Sequence, residues 1–245
     1  MKVYEIVEAT QGILVSGNKD DEINFFSQDS RQMKNGGMYI PLKGERFDGH
    51  NFIESAFQTG AQAIISEKDV KYEDKIVIKV KDTYQALKDM ASYLRNHRPV
   101  KVVGVTGSVG KTSTKEIIAS VLEEKFKTLK TEGNYNNEIG LPLTILRYHD
   151  EEILVLEMGM NHLQEMSRLS MIARPDIACI TNVGTAHIGE LGSRENILKA
   201  KLEITDGMKE GSTLIINQDN DMLQTVELPH LNVVRVGKGK EASIQ

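Results

Sequence analysis

The chain has 245 residues, of which 40% are hydrophobic and 27% charged, and its formal net charge is −5. That length suffices for one large domain or two modest ones, and two are favoured. The acidic balance disfavours a protein that coats nucleic acid and favours one with a small substrate. The sequence shows neither a signal peptide nor an apolar run long enough to span a membrane, so we expect a soluble, cytoplasmic protein.

The first 98 residues are predicted to form a mixed α/β domain. Apolar runs and amphipathic patterns predict its elements, which are strands at 38–42, 61–66 and 75–80 and helices at 48–59 and 83–97. The longer helix stops before Pro99, which indicates a domain boundary there. The predicted domains are therefore 1–98 and 99–245.

From residue 100 onward, strands and helices alternate regularly. The pattern predicts strands at 101–105, 153–158, 177–182, 213–217 and 232–236, and helices at 112–126, 163–173 and 194–209. This alternation indicates a mostly parallel sheet with helices on both faces. Ligands in such a fold bind at the carboxyl ends of the strands. Four polar or glycine-rich segments fall at these ends, namely 107–112, 157–161, 182–187 and 217–221.

The loop after the first of these strands has the features of a nucleotide phosphate site. Its glycines let backbone amides approach an anion, Lys111 places a cation on the terminal phosphates, and Thr112 can ligate magnesium. A plain glycine turn is the alternative. Glycine recurs at every third position, which departs from the common P-loop spacing and indicates a particular subclass of ATP user. The predicted ATP-binding residues are Gly107, Ser108, Val109, Gly110, Lys111, Thr112 and Ser113.

Three further side chains are candidates for chemistry. Glu157 ends an apolar strand, as a magnesium-binding Walker-B acid does. The alternative is a solvated acid at the end of a strand, which would have the same sequence pattern. His187 follows the next strand along the chain and is either functional or an ordinary loop histidine. Lys201 lies within the apolar stripe of its helix. Burying an unpaired ammonium is unfavourable, so Lys201 needs a partner or a chemical change unless its stem carries the charge to solvent.

An asparagine cluster, formed by Asn134, Asn136 and Asn137, precedes a helix predicted to start near Glu138. Such clusters are usually turns, but here they could also cap the helix and reach an anionic substrate. The single cysteine, Cys179, lies in an apolar run and is predicted to fill the core without a chemical role.

Together these segments resemble the Mur ligases, ATP-dependent amide-forming enzymes of peptidoglycan synthesis with the same glycine rhythm. The motifs most like the subgroup that joins D-alanyl-D-alanine to UDP-N-acetylmuramoyl-tripeptide are 157–161, 174–178, 181–187 and 192–196. Segments 29–31 and 44–50 are similar to those with which these enzymes hold the uridine nucleotide. The resemblance thus makes 1–98 a UDP-substrate domain and 99–245 an ATP-binding central domain. It places substrate contacts at Ser30, Arg31, Lys43, Asp48, His50, Asn134, Asn136 and Asn137.

The resemblance also implies a mechanism. ATP would phosphorylate the terminal carboxylate of the UDP-linked tripeptide, and the amine of D-alanyl-D-alanine would attack the acyl phosphate. Lys111, Glu157, His187 and Lys201 would be the catalytic residues. Thr112 and Glu157 would hold one Mg²⁺, while His187 and a carbamylated Lys201 would support a second.

Mur ligases have three domains, and this sequence resembles the first and part of the second. We therefore expect an incomplete central domain, no C-terminal domain and little ligase turnover from this monomeric chain. One alternative is the sister ligase that adds an amino acid to UDP-N-acetylmuramoyl-dipeptide. Another is a non-catalytic nucleotide-binding module. A folylpolyglutamate synthase is disfavoured, because it lacks a domain like residues 29–50.

Overall fold

A computed structural model describes residues 1–45, 47–239 and 242–244. The chain divides into two compact units, Met1–His97 with Ile145–His149 and Arg98–Thr144 with Asp150–Gln245. Arg46, which belongs to the predicted uridine-nucleotide segment 44–50, lies outside the described residues.

The first unit contains a mixed sheet. Its elements are α1 (Val3–Thr10), β1 (Ile13–Ser16), β2 (Phe26–Ser27), β3 (Gly37–Tyr39), α2 (Ile53–Thr59), β4 (Ala61–Ser66), β5 (Ile76–Lys79) and α3 (Thr83–His97). The strand order is β1-β5-β4-β3-β2, with β1 antiparallel to β5 and the other neighbours parallel. One core cluster packs α2 against the sheet through Tyr39, Ile53, Ala56, Ile64 and Val77.

The predictions for this unit were right for its strongly patterned segments. Strand β4 and helix α3 have the predicted bounds. The predicted helix 48–59 is a 3₁₀ turn, Gly49–Phe52, followed by α2, because the Asp48 side chain accepts the His50 amide and tightens the first turn. Helix α1 and strand β1 escaped prediction, since β1 exposes Ile13 and Val15 and therefore lacks a buried apolar pattern.

The second unit is built on a parallel sheet. Its elements are β6 (Lys101–Thr106), α4 (Lys111–Glu123), β7 (Thr128–Lys130), α5 (Gly140–Ile145, ending at the unit boundary), β8 (Ile153–Glu157), α6 (Glu165–Ala173), β9 (Ile177–Ile180), α7 (Ile188–Leu191), α8 (Arg194–Leu202), β10 (Thr213–Asn217) and β11 (Asn232–Val236). Within the described residues the strand order is β11-β10-β9-β6-β8-β7, and all neighbours are parallel.

Helices cover both faces of this sheet, as predicted. Because side chains alternate along a strand, successive residues of β6 face opposite layers. Val103 and Val105 pack with Ala119 of α4. Gly104 faces the other layer, where an added Cβ would lie 3.3 Å from the Ile204 side chain. The predicted α/β class is therefore confirmed.

The extent and burial of two helices depend on tertiary packing. In α4, Ile118 and Leu122 pack on the core, whereas the apolar side chains of Ile117 and Val121 are 66% and 68% exposed. The predicted helix 194–209 ends at Leu202 and continues as a 3₁₀ turn, Glu203–Thr205. It cannot extend further because the Gly207 backbone packs against Ser170, whose hydroxyl accepts the Gly207 amide.

None of the helices in the described part of the chain has the length and apolar character that a membrane crossing requires.

Candidate functional site

The loop between β6 and α4 lies at the carboxyl edge of the parallel sheet, and its three glycines meet different steric demands. Gly104 packs against the sulfur of Met158, Gly107 runs so close to Thr181 that a Cβ would overlap its hydroxyl, and Gly110 has a φ of +81°. Substituting Gly107 or Gly110 would therefore displace a neighbour or strain the backbone. The glycine rhythm reflects close packing and one left-handed turn at the start of α4.

Asn182, at the end of the neighbouring strand, holds the loop in shape. Its backbone carbonyl accepts the Ser108 amide at 3.1 Å, and its side-chain oxygen accepts the Val109 amide at 2.9 Å. The Ser108 hydroxyl in turn accepts the Gly184 amide. Residues of 107–112 and 182–187 thus meet as predicted. The first amides of α4 have no acceptor within their own helix and remain suited to an anion.

Glu157 is a buried and hydrogen-bonded acid at this edge. It is 3% exposed, although a solvated strand-end acid was the alternative. One carboxylate oxygen, Oε2, accepts a hydrogen bond of 2.8 Å from the Thr112 hydroxyl, and Oε1 accepts one of 2.9 Å from the Asn136 amide. The sequence-predicted pair of magnesium ligands, Thr112 and Glu157, is therefore in direct contact.

Lys111 and Lys201 place two cations near one another. Lys111 donates to the Gly107 carbonyl at 3.0 Å. Lys201 is 2% exposed, which confirms that it lies on the buried face of α8, and among the described residues its ammonium has neither a carboxylate partner nor a hydrogen bond. Burial, with a further contribution from repulsion by Lys111, lowers the pKa of Lys201 to about 8. Lys201 is therefore a desolvated lysine, but its Nζ is not among the described buried polar atoms that lack both a hydrogen bond and solvent contact.

His187, Asn134 and Asn137 make no described contact with Thr112, Glu157 or Lys201. His187 precedes α7 with a φ of +66°, and its ring makes no hydrogen bond or ion pair with the rest of the described chain. The Asn137 side chain accepts the Ile139 and Gly140 amides and so caps α5, as predicted. Asn134 is exposed. A ligand-binding role for any of these residues stays a prediction.

The residues at this edge fit a magnesium ion bound partly by a ligand. Across residues 1–45, 47–239 and 242–244, no group of three or more histidine, cysteine, aspartate or glutamate side chains is arranged to hold a metal. The Thr112 hydroxyl and the Glu157 carboxylate supply two hard oxygen donors side by side, and Mg²⁺ is typically bound by one or two carboxylates together with substrate phosphates. The chemistry of this donor pair thus suits Mg²⁺ carried by a nucleotide.

A separate cavity in the first unit contains part of the predicted uridine-nucleotide site. Its volume is about 560 Å³, which is typical of a small-ligand pocket, and its walls include Ser30, Arg31, Phe47 and Phe52. The Arg31 guanidinium donates to Asp29 at 2.9 and 2.8 Å, and these bonds lower the pKa of Asp29 to about 2. Both phenylalanines are exposed, at 59% and 46%. The cavity therefore offers aromatic faces beside a cation.

The other predicted substrate residues of this unit hold one another. His50 is buried, its Nδ1 lies 2.7 Å from Asp48, and its Nε2 accepts the Glu67 amide at 3.2 Å. Asp48 also accepts a bond of 2.8 Å from Lys68, which is the main reason that its pKa is lowered. Lys43 pairs with Glu67. These contacts support the loop next to the cavity, and none of Lys43, Asp48 and His50 is among the residues that line it.

Two buried polar residues of the second unit escaped sequence reasoning. They are Lys115 and Thr131, at 1% and 0% exposure. A signal existed for Lys115, because it lies three residues after Thr112 and therefore on the same side of α4. Thr131 carried none, since strand β7 is too short to show a pattern.

A strand, a glycine-rich phosphate loop, a helix and an acid at the end of the adjacent strand define a P-loop nucleotide-binding protein. Residues 105–245 match the family profile described as Mur ligase middle domain, and residues 22–95 match that described as Mur ligase family, catalytic domain. The chain belongs to the Mur ligase family, which confirms the resemblance seen in the sequence.

Individual relatives agree. The UDP-N-acetylmuramoyl-tripeptide–D-alanyl-D-alanine ligase of Bacillus subtilis (strain 168) is 45% identical over 226 residues, which cover 91% of this chain and 50% of that protein. A crystal structure of MurF from Acinetobacter baumannii matches with a TM-score of 0.89 and 35% identity over 97% of this chain and 53% of its own. The structure of the MurF ligase from Thermotoga maritima in complex with ADP matches with a TM-score of 0.78 and 39% identity. The match covers 88% of this chain and 50% of that one. The chain spans about half the length of these relatives.

Proposed function

We propose that this chain is the UDP-substrate domain and part of the ATP-binding domain of a ligase that joins D-alanyl-D-alanine to UDP-N-acetylmuramoyl-tripeptide through an acyl phosphate. The observation that carries the proposal is the 2.8 Å bond between Thr112 and the buried Glu157 at the mouth of the phosphate loop. The ligase named for the relative at 45% identity supports the choice of substrates. Because the reaction uses nucleotide-linked substrates and ATP, we place the protein in the bacterial cytoplasm. We further propose that it is a monomer.

In this proposal ATP binds with its phosphates over residues 107–113. The loop amides and the first turn of α4 orient the phosphates, and the Lys111 ammonium leaves the Gly107 carbonyl to face the transferred group. Thr112 and Glu157 would hold Mg²⁺. The ion, when bound, neutralises charge on the phosphates.

Lys201 and His187 are proposed to support a second Mg²⁺. A lysine whose pKa is near 8 is partly neutral at physiological pH, and a neutral amine can add CO₂ to give a carbamate and release one proton. The carbamate would replace an unpaired buried cation beside Lys111 by an anion, so the same step would remove an electrostatic penalty and create a metal-binding group. The ring of His187, which is half-buried, would complete the site.

The uridine nucleotide is proposed to occupy the cavity of the first unit. Arg31 is 83% exposed at its side chain and can exchange Asp29 for a diphosphate, while Ser30 supplies a hydroxyl. Phe47 and Phe52 offer faces for a planar base. Asn134, Asn136 and Asn137 of the second unit are also proposed to contact substrate, as the family resemblance implies.

Calorimetry on this chain tests the proposal. We expect binding of UDP-N-acetylmuramoyl-tripeptide and Mg²⁺-dependent binding of ATP, with the dipeptide nucleotide bound more weakly than the tripeptide one. ATP binding without any binding of UDP substrates would contradict the ligase assignment. Equal or tighter binding of the dipeptide nucleotide would favour the sister ligase instead. Turnover by the corresponding full-length protein, dependent on both tripeptide nucleotide and D-alanyl-D-alanine, is the final check.

A further inference from the structure

A second lysine of α4, Lys115, is the most deeply buried charged residue in the described part of the chain. It is 1% exposed and lies three residues after Thr112, on the side of the helix that faces the sheet. Its ammonium donates to the Thr131 carbonyl at 2.7 Å and pairs with Glu116 at 2.6 Å. Burying an ammonium is costly unless partners of this kind satisfy it.

The Thr131 contact leads directly to Glu157. Thr131 follows β7, and its hydroxyl accepts the Glu157 amide at 3.0 Å, while its own amide donates to the Val155 carbonyl. The Glu157 carboxylate then accepts from Thr112. Thr112, Lys115, Thr131 and Glu157 thus form a closed ring, of which one side is a single turn of α4 and the other three are hydrogen bonds. We call this the Lys115 ring.

The contacts that join α4 to β7 are of two kinds, and only those of the Lys115 ring lead on to Glu157. That attachment has its own surface contacts, since Lys130 pairs with Glu116 at 2.8 Å and with Glu123 at 3.6 Å. Lys115 and Lys130 together lower the pKa of Glu116 to about 2, so Glu116 stays ionised between them. Lys130, however, contacts neither Thr131 nor Glu157 through its ammonium. It is therefore a matched control for Lys115.

We propose that Lys115 is a positioning residue, whose bond to Thr131 fixes the end of β8 relative to the phosphate loop and so sets the Glu157 carboxylate at Thr112. The role rests on the proposed function, because it matters only if Thr112 and Glu157 bind Mg²⁺ with a nucleotide. Residues behind metal ligands commonly tune affinity by about 10- to 100-fold. Lys115 acts in this way through backbone and hydroxyl groups of Thr131.

The test measures ATP and inorganic tripolyphosphate affinities by calorimetry, each with Mg²⁺ and with EDTA. For Lys115→Met we expect the strengthening by Mg²⁺ to fall about tenfold, with the EDTA affinity within about twofold of wild type. Thr131→Val, which removes the acceptor for the Glu157 amide, should behave likewise. Thr131→Ser keeps the hydroxyl and should restore the wild-type Mg²⁺ effect, and Lys130→Met should leave it unchanged.

NMR spectroscopy of the ligand-free protein provides a second test of the positioning role. The ¹⁵N–¹H resonance of the Glu157 amide should shift in Lys115→Met and stay in place in Lys130→Met. An unchanged Mg²⁺ effect in both Lys115→Met and Thr131→Val, or equal losses with Mg²⁺ and with EDTA, would overturn the positioning role while leaving the phosphate site intact. If the wild-type chain bound neither ATP nor tripolyphosphate, the proposed function and the positioning role would both be rejected.

Discussion

The two units hold their candidate site residues in opposite ways. In the first unit, Arg31 is paired with Asp29 at the surface and Lys43 with Glu67, so each charge already has a partner. In the second unit, Glu157 is buried and hydrogen-bonded, and Lys201 is buried with no partner among the described residues. Exposed pairs contribute little to stability, whereas buried charges are costly unless satisfied.

This difference suggests a division of labour. The surface pairs of the first unit can open to exchange one anion for another at small cost, which suits reversible binding of a nucleotide substrate. The buried groups of the second unit cannot rearrange freely, which suits a site that must hold phosphates and a metal in fixed positions. Substitutions in the second unit should therefore affect binding or folding strongly, and those in the first should affect binding alone.

The largest effect is expected from Gly107→Ala. The new methyl would overlap the Thr181 hydroxyl and displace the phosphate loop. Overpacking of this kind costs about 1 to 3 kcal/mol. Because the displaced loop would have to return to this conformation to bind phosphate, ATP affinity measured by calorimetry should fall by up to roughly 100-fold. Gly189→Ala is the control, because a methyl there meets nothing within 4 Å. Wild-type affinity in Gly107→Ala would show that the loop does not bind phosphate in this conformation.

Lys201→Met tests the buried cation through stability. The folded state holds a pKa of about 8 against an ordinary 10.5. The penalty is therefore fully present below pH 8 and is relieved as pH rises from 8 to 10.5, because the unfolded chain binds more protons in that window. At pH 7 in CO₂-free buffer, the variant should be more stable by about 3 kcal/mol at most. Urea unfolding from pH 7 to 10.5 should show the difference shrinking.

The control for this experiment is Lys199→Met, on the exposed side of the same helix. It should change neither the stability nor its pH dependence. A Lys201→Met variant that is no more stable than wild type at pH 7 would contradict the assignment of Lys201 as an unpaired buried cation. Adding bicarbonate should stabilise the wild type and not Lys201→Met if the carbamate forms.

Asn136→Ala should have a smaller effect on the metal site. It removes the donor to Glu157 Oε1 but leaves the Thr112 bond in place. A hydrogen bond to a charged group contributes about 1.5 kcal/mol, so the strengthening of ATP binding by Mg²⁺ should fall by about tenfold. Asn134→Ala, in the same loop and exposed, should match wild type. Equal effects from both variants would assign the asparagines to the loop fold rather than to Glu157.

The smallest effect on folding is expected from Arg31→Gln. Its ion pair is exposed, so the free energy of unfolding should change by less than about 0.5 kcal/mol. Affinity for UDP-N-acetylmuramoyl-tripeptide should nevertheless fall about tenfold, because a charged contact to the diphosphate is lost. Lys79→Gln breaks another surface pair, with Asp69, and should alter neither quantity. A fall in stability without a fall in affinity would make Arg31 structural.

The sequence predicted those parts of the fold in which buried residues recur at a regular spacing. The parallel sheet, helix α3 and the burial of Lys201 all follow from apolar residues that repeat at the period of a strand or helix. Elements without such a signal were missed, as with β1, which is exposed, and β7, which has three residues. The end of α8 was misplaced because the packing of Gly207 on Ser170 is a tertiary contact.

For the candidate site, the sequence predicted the side chains that would bind magnesium but not the residues that hold those side chains in place. Thr112 and Glu157 were recognised because their positions in the strand, loop and helix pattern have a known chemical meaning. The partners that hold them, Asn136, Lys115 and Thr131, come from segments brought together by folding. Asn136 was predicted to contact substrate; the structure shows its side-chain amide donating to Glu157, and the substrate contact stays a prediction.

The central claim is that Thr112 and Glu157 form one magnesium site at the phosphate loop, and Glu157→Gln tests it most directly. ATP binding to wild type and variant would be measured by calorimetry with Mg²⁺ and with EDTA. Because the substitution keeps the shape and removes the charge, we predict that the strengthening by Mg²⁺ falls at least about tenfold, while affinity in EDTA is unchanged or tighter. Undiminished strengthening by Mg²⁺ in Glu157→Gln would contradict the claim.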